Sequence, residues 1–388
     1  MRKTWVLFLL LMILAMLPAA ALADVAEDIT IRCLFNNRVH EPAHPDDVRD
    51  GDYGSFYTGR NLTIIAPEGE TIGSLEIKWR TINMPGVIIL TQVNGEWVEV
   101  LRDGPKYATQ YIVLPEGVKD VRLTAQSGTL ELCEVTVLTP GETPDYIQIW
   151  RDPPEKVDLM LLSTHPDDEV LWFGGLLPYY AGELDKEVLV VNAVYGWYYR
   201  RLELLDSLWT CGVDIYPVML GYPDAYESVT VVSKAWEERN RDPKNRIVSV
   251  IRQYEPEVVV LHDTNGEYGH SAHIYFCRLG QQGVERAADP AQHPESAAEW
   301  GVWDVPKTYI HLYPENQLQM DWNQPLSAFG GKTGLEVAGE GFLCHKSQHE
   351  RWSMDRSIAY DNSLYGLWRT TVGPDVVKTD MFENIPEE

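Results

Sequence analysis

From Asp24 to about Pro144 the apolar residues fall in short alternating or continuous runs: ITIRCLF, NLTIIAP, SLEIKWR, GVIILTQV, EWVEVL, QYIVLP, VRLTA and LELCEVTVL. Turn signals separate them, among them Asp50-Gly51, Pro67-Glu68-Gly69, Asn94-Gly95 and Pro115-Glu116-Gly117. Even spacing without a helical period predicts an antiparallel β-sandwich. A polar, proline-rich segment, TPGETPDYIQIWRDPPEK, then marks a connection. Beyond it the apolar runs VDLMLLST (157 to 164), EVLVVNAVY (187 to 195) and EVVVLHD (257 to 263) alternate with amphipathic stretches such as RLELLDSLWTCGV and NRIVSVIRQY. Buried strands alternating with helices predict an α/β domain, a parallel sheet covered on both faces. The expected division is a leader over 1–23, a β-sandwich over 24–144 and an α/β domain over 145–388.

The start of the chain has its own pattern. Arg2 and Lys3 precede an apolar run from Trp5 to Leu17, then Pro18 and the small-residue site Ala21-Leu22-Ala23. This is the layout of a secretory signal peptide, and Pro18 and the cleavage-like triplet weigh against a permanent anchor. The expected location is therefore secreted or at the cell surface, with no stable membrane span after cleavage; no later segment is apolar for long enough. Fifty-eight acids against 32 bases give a net charge of −26. Such a surface repels phosphate backbones, so nucleic acid is excluded as a natural partner. Five cysteines stand singly, without a CxxC pair, so any metal falls to histidine and carboxylate. Cys33 and Cys133 lie near the two ends of the sandwich segment, where export permits a disulfide and burial equally permits two separate thiols.

Candidate chemistry sits at two strand ends. His165-Pro166-Asp167-Asp168-Glu169 follows the strand ending at Thr164. In open α/β sheets ligands bind beyond the carboxyl ends of strands. Pro166 suits a first helical turn, and the three-residue spacing puts His165 and Asp168 on one side of it. Asp167 then faces differently, so that one carboxylate can hold a metal while the other handles protons. A second cluster, Gly266-Glu267-Tyr268-Gly269-His270-Ser271-Ala272-His273, follows the strand at 257 to 263. If those strands are neighbours, His273 closes a ligand set with His165 and Asp168, an ordinary catalytic zinc shell with water in the remaining position. Ala43-His44-Pro45-Asp46-Asp47 repeats four letters of the first motif without the preceding strand, and reads as a surface loop.

With its strand–STHPDDEVLWFGG and strand–HDTNGEYGHSAH segments, the chain resembles the LmbE-like or PIG-L de-N-acetylases over roughly residues 146 to 388. Arg200 and Glu203 ahead of Cys211-Gly212-Val213, Asp224 within LGYPDA, and the closing HKSQ (345 to 348) fit the same pattern. The resemblance implies a Rossmann-like catalytic fold and a Zn²⁺ enzyme, another divalent metal being an alternative. His165, Asp168 and His273 would be its metal ligands, Asp167 its general base and His270 the residue that stabilises the oxyanion. Arg200 and Asp224 become candidates for substrate binding, against simple charge pairing. One departure stands out: Ala272 occupies the place where many relatives carry an acid, so whatever orients His270 comes from elsewhere. The stretch DGDYGSFYTGR and the strands after it resemble discoidin or galactose-binding jelly rolls.

The expected function is removal of an N-acyl group, most simply acetyl, from an amino sugar or glycoconjugate. The alternatives are an amidase on a non-sugar substrate, or a non-catalytic glycan-binding protein with a vestigial metal site. Asp167 argues against the last, since a binder needs no base beside its metal.

Overall fold

The computed structural model describes residues 24–36, 45–82, 86–93, 95–194, 196–238 and 242–386. The segment read as a leader, 1–23, lies outside them. Two antiparallel sheets come first. One contains β1 (Leu34–Asn36), β3 (Asn61–Ile65), β8 (Asp120–Ala125), β5 (Val87–Val93) and β6 (Glu96–Asp103) in that spatial order. The other contains β2 (Tyr57–Gly59), β9 (Leu130–Leu138), β4 (Ser74–Trp79) and β7 (Thr109–Val113). In β8 burial alternates residue by residue, the signature of a sheet with one face on a core. Leu62, Ile64, Val121 and Leu123 of the first sheet join Leu75, Ile77, Val135 and Val137 of the second in one apolar cluster. The run ITIRCLF is a single 3₁₀ turn at Thr30–Arg32 leading into β1, not one strand. Cys33 and Cys133 are separate buried thiols, and burial pushes them up to about 11 and about 12 respectively.

The second half holds a seven-stranded sheet. Its members are β10 (Leu159–Ser163), β11 (Val188–Asn192), β12 (Val218–Met219), β13 (Val258–Leu261), β14 (Lys307–His311), β15 (Gln317–Gln319) and β16 (Leu364–Thr370), in the order β12-β11-β10-β13-β14-β16-β15. The first five strands in that order pair in parallel, whereas β16 runs antiparallel to both β14 and β15. The expectation of a purely parallel sheet is thus corrected at one edge. Between β15 and β16 the chain passes through the helix Gly334–Cys344 and returns antiparallel to β14, so this helical connection does not join parallel strands as a βαβ crossover does. Strands β10, β11 and β13 are buried throughout, which is why they read as continuous apolar runs.

Four helices matter for the site: α1 (Asp168–Leu171), α2 (Tyr198–Thr210), α3 (Val229–Glu237) and, following α4 (Pro243–Tyr254), α5 (Ser271–Ala287). Helix α2 also forms the seam with the sandwich. Lys78 of β4 and Tyr53 both reach Asp206 of α2, and Gln148 Nε2 donates to the same carboxylate at 2.5 Å. Arg201 donates to the carbonyls of Trp79 and Arg80 at 3.2 and 2.8 Å. Burial opposes the charge on Lys78, yet Asp206 and Tyr53 outweigh it and hold the ammonium well above its ordinary range. Asp206→Ala leaves this mostly buried cation without its counter-charge. A loss of about 3 kcal/mol in unfolding free energy is expected, to be read from the shift of the denaturant midpoint.

Candidate active site

The parallel pairing of β10 with β13 aligns Leu159 with Val258 and Leu161 with Val260, so both strands end at one edge of the sheet. The loops leaving those ends carry the two histidine clusters. Between β10 and α1 the chain turns sharply at Asp167, whose φ of 111° is unusual for a residue with a side chain. A strained residue of this kind costs about 1–3 kcal/mol and persists only where its surroundings fix it. Here they do: the Asp167 N–H donates to Glu169 Oε2 at 2.8 Å. The other oxygen of Glu169 accepts from Ser207 Oγ at 2.7 Å and meets His345 Nε2 at 2.6 Å. The helix consequently begins at Asp168, so Pro166 precedes the cap instead of occupying the first turn. The second loop is equally tight. Gly266 has φ 68°, and a Cβ there would stand 2.5 Å from the His270 carbonyl oxygen, so only glycine fits.

Three atoms gather where these loops meet. His165 Nδ1, Asp168 Oδ2 and His273 Nε2 form a triangle with each edge 3.2 Å. Tetrahedral bonds of about 2.0–2.2 Å place ligand atoms roughly 3.3–3.5 Å apart, so these three donors fit one face of a small divalent cation. Each donor is fixed from behind. Glu267 Oε2 lies 2.6 Å from His273 Nδ1, which turns the Nε2 lone pair toward the triangle. Asp224 Oδ1 lies 3.3 Å from His165 Nε2 and acts likewise on Nδ1. Trp172 Nε1 donates to Asp168 Oδ1 and the His165 backbone N–H donates to Oδ2, both at 2.7 Å, which fixes the carboxylate with Oδ2 facing the two imidazoles. Burial resists the charge of Asp168, but His273 and His165 hold its carboxyl well below the usual range. Burial likewise resists protonation of His273, and Asp168 and Glu267 outweigh it to carry that imidazole up to about 10 without a metal.

Two more imidazoles approach, since His165, His270 and His273 form one donor group and Asp168, His262 and His273 another. Their hydrogen bonds set them apart as ligands. His262 Nε2 accepts from the Thr164 N–H at 3.0 Å while its Nδ1 faces Glu267 at 3.1 Å, so neither nitrogen keeps a spare lone pair. His270 Nδ1 accepts from the Ala272 N–H at 3.2 Å and caps α5. Burial, reinforced by His273 and His165, pushes His270 down to about 3, so the ring is neutral and its proton resides on Nε2. A backbone amide therefore fixes the tautomer at the place where the sequence lacks an acid.

Asp167 is 4% exposed. Burial lifts its carboxyl to about 7 against the opposing pull of Arg200, whose Nη2 lies 3.4 Å from Oδ2. Arg200 also donates to the Pro166 carbonyl. The two residues considered for substrate contact are thus both tied to the histidine–carboxylate cluster, Arg200 to Asp167 and Asp224 to His165. Sequence reasoning missed Glu267 and Glu169 as supports, along with His262 and His311, whose Nδ1 also lies 3.1 Å from Glu267. Both glutamates stood inside the quoted motifs, but only the fold shows what they touch. In the control motif, Pro45–Val48 is a 3₁₀ turn and Asp46 is exposed; His44 lies outside the described residues.

Residues 160–283 match the family model for PIG-L, GlcNAc-PI de-N-acetylase. The 1D-myo-inositol 2-acetamido-2-deoxy-alpha-D-glucopyranoside deacetylase 1 of Catenulispora acidiphila is 32% identical over 204 residues, covering 46% of this chain and 62% of that protein. The corresponding deacetylase of Geodermatophilus obscurus is 30% identical over 191 residues, covering 42% and 63%. This chain therefore spans less than two thirds of either relative. Among solved structures, the N,N'-diacetylchitobiose deacetylase of Pyrococcus horikoshii is similar with a TM-score of 0.39 and 17% identity over 56% of this chain and 86% of that one. The PIG-L match contains both clusters and both supporting glutamates. Glu267→Gln keeps the shape of the side chain but weakens its hold on His273. Affinity for zinc, titrated against a chelator, is expected to fall about 10–100-fold.

Proposed function

We propose that this protein is an exported, zinc-dependent N-deacylase that removes an acetyl group from an amino sugar or glycoconjugate. The observation that carries the reading is a buried carboxylate, Asp167, poised near neutrality directly beside a three-donor metal triangle. The PIG-L match and the named activities of the relatives support the choice of substrate class. The basic and apolar start of the chain supports export. We read the mixed sheet as a Rossmann-like catalytic domain from residue 145 and the preceding sheets, 24–144, as a jelly-roll sandwich.

His165, Asp168 and His273 would hold the metal. When bound, zinc supplies a water acidified from about 15.7 toward roughly 7 and a Lewis acid for the acyl oxygen. The chain's own residues do the rest. Asp167 takes the proton of the attacking water on its carboxylate and returns it to the departing amine nitrogen, which leaves poorly as an anion. Arg200 fixes Asp167 and limits how far burial raises its affinity for the proton. His270, neutral with its proton on Nε2, donates a hydrogen bond to the oxygen that gains charge, a contact typically worth about 2.7–4 kcal/mol. Burial of His165, Asp167, Asp168 and His273 keeps bulk water from these groups and strengthens their interactions.

Because a general base works only when ionised, kcat/KM is expected to rise with pH through about 7 and to fall tenfold per unit below it. Asp167→Asn removes the base and leaves the ligand set in place. Acetate release from N-acetylglucosamine oligomers should then drop by about 10²–10⁴ while bound zinc, measured by metal analysis, stays stoichiometric. Absence of release from any acylated amino sugar by the zinc-loaded native protein would overturn the reading.

A further inference from the structure

Most of the exposed aromatic rings among the described residues stand on loops at one edge of the parallel strands. Of the five, Tyr146, Trp197, Tyr226, Tyr268 and Trp300, three flank the site. Trp197 precedes Arg200 by three residues, Tyr226 follows Asp224 by two, and Tyr268 precedes His270 by two. They are 67%, 70% and 41% exposed. Each stands on a loop that follows β11, β12 or β13, on the same side as the metal triangle. Leaving large apolar rings in water at a catalytic mouth has a use when a ligand covers them.

The aromatic run after β11 divides its labour. Tyr198 is a seam residue, its ring on Phe56 and its hydroxyl donating to the Gly54 carbonyl at 2.9 Å. Trp197 and Tyr199 instead lie parallel, 5° apart in plane with centroids at 6.5 Å. Beside Tyr199 opens a cleft of about 430 Å³ between α2 and the sandwich loop Gly51–Gly54, also lined by Glu203, Lys346 and Ser347. This loop is held rigidly: Lys346 Nζ donates to the Gly51 carbonyl at 2.9 Å, and Tyr53 joins the Lys78–Asp206 network. The cleft lies within the roughly 300–1,000 Å³ of ordinary small-ligand sites. Its walls combine a ring face with an exposed carboxylate, Asp52, and an exposed ammonium, Lys346. That mixture suits a pyranose, whose axial C–H face stacks on aromatics while its rim of hydroxyls meets charged groups. A phospholipid headgroup fits poorly beside a chain of net charge −26.

We propose that the seam cleft between the sandwich and α2 binds further sugar rings of an oligosaccharide whose acylated unit lies at Asp167. The substrate class is then an oligomer, and the sandwich contributes a wall of the binding site. This rests on the reading of the site as an amino-sugar N-deacylase. The test compares kcat/KM for N-acetylglucosamine and for its β-1,4-linked tetramer in the zinc-loaded full chain. The native protein should favour the tetramer, and Tyr199→Ala should lower the tetramer-to-monomer ratio by about five- to tenfold. Tyr199→Phe retains the ring and should keep the ratio. Binding of the tetramer to Asp167→Asn protein by calorimetry, with and without Tyr199→Ala, reads the cleft independently of turnover. A native ratio that Tyr199→Ala leaves unchanged, with tetramer binding indifferent to Tyr199, overturns the subsite and leaves the deacylase intact. Tyr199-dependent binding without acetate release by the native protein sinks the deacylase and retains the subsite.

Discussion

The parallel register of β10 against β13 is the constraint from which the site follows. Two loops separated by about a hundred residues of chain become neighbours because Leu159 to Leu161 pair with Val258 to Val260. Slipping that pairing by one residue would reverse the facing of every side chain in a strand buried on both sides, so the register is strongly specified. Loops leaving a strongly specified edge inherit its precision. That is why an imidazole and a carboxylate from the first loop, His165 and Asp168, can each stand 3.2 Å from the His273 imidazole of the second.

Around that junction the buried acids act in pairs with opposite demands. Asp168 is stabilised as an anion by two imidazoles and an indole N–H, whereas its neighbour Asp167 has one guanidinium at 3.4 Å and a dry environment. Adjacent residues of identical chemistry are thereby driven apart in proton affinity, one toward permanent charge and the other toward exchange near neutral pH. The glutamates Glu169 and Glu267 touch neither role directly. Glu169 fixes the strained backbone at Asp167, and Glu267 gathers the Nδ1 atoms of His262, His273 and His311. Supporting contacts of this sort set ligand orientation as firmly as the ligands themselves.

The seam extends the same logic to the sandwich. Lys78, Tyr53 and Gln148 converge on Asp206 in a nearly dry setting, and leaving any one of those groups unpaired would be costly. Helix α2 therefore has one face locked to the sandwich and its first turn, with Arg200, locked to Asp167. A β-module joined in this way is fixed relative to the strand ends that carry the two histidine clusters.

Periodicity by itself determined the two textures of the chain, because alternating runs bury one face and continuous runs bury two, and both leave their mark on residue type. Motif spacing picked out His165, Asp167, Asp168, His270 and His273, since chemistry-bearing residues beyond apolar strands have few structural reasons to be there. The antiparallel β16 edge, the φ of Asp167 and the partners of Arg200 and Asp224 came only with the tertiary structure. So did the amide of Ala272 in place of an acid: a backbone N–H is common to every residue but proline, and no side-chain pattern records where it points. Local sequence encodes burial and reach. Which of two equally suitable groups a charged side chain meets depends on distances between segments far apart in the chain, and those are set by packing.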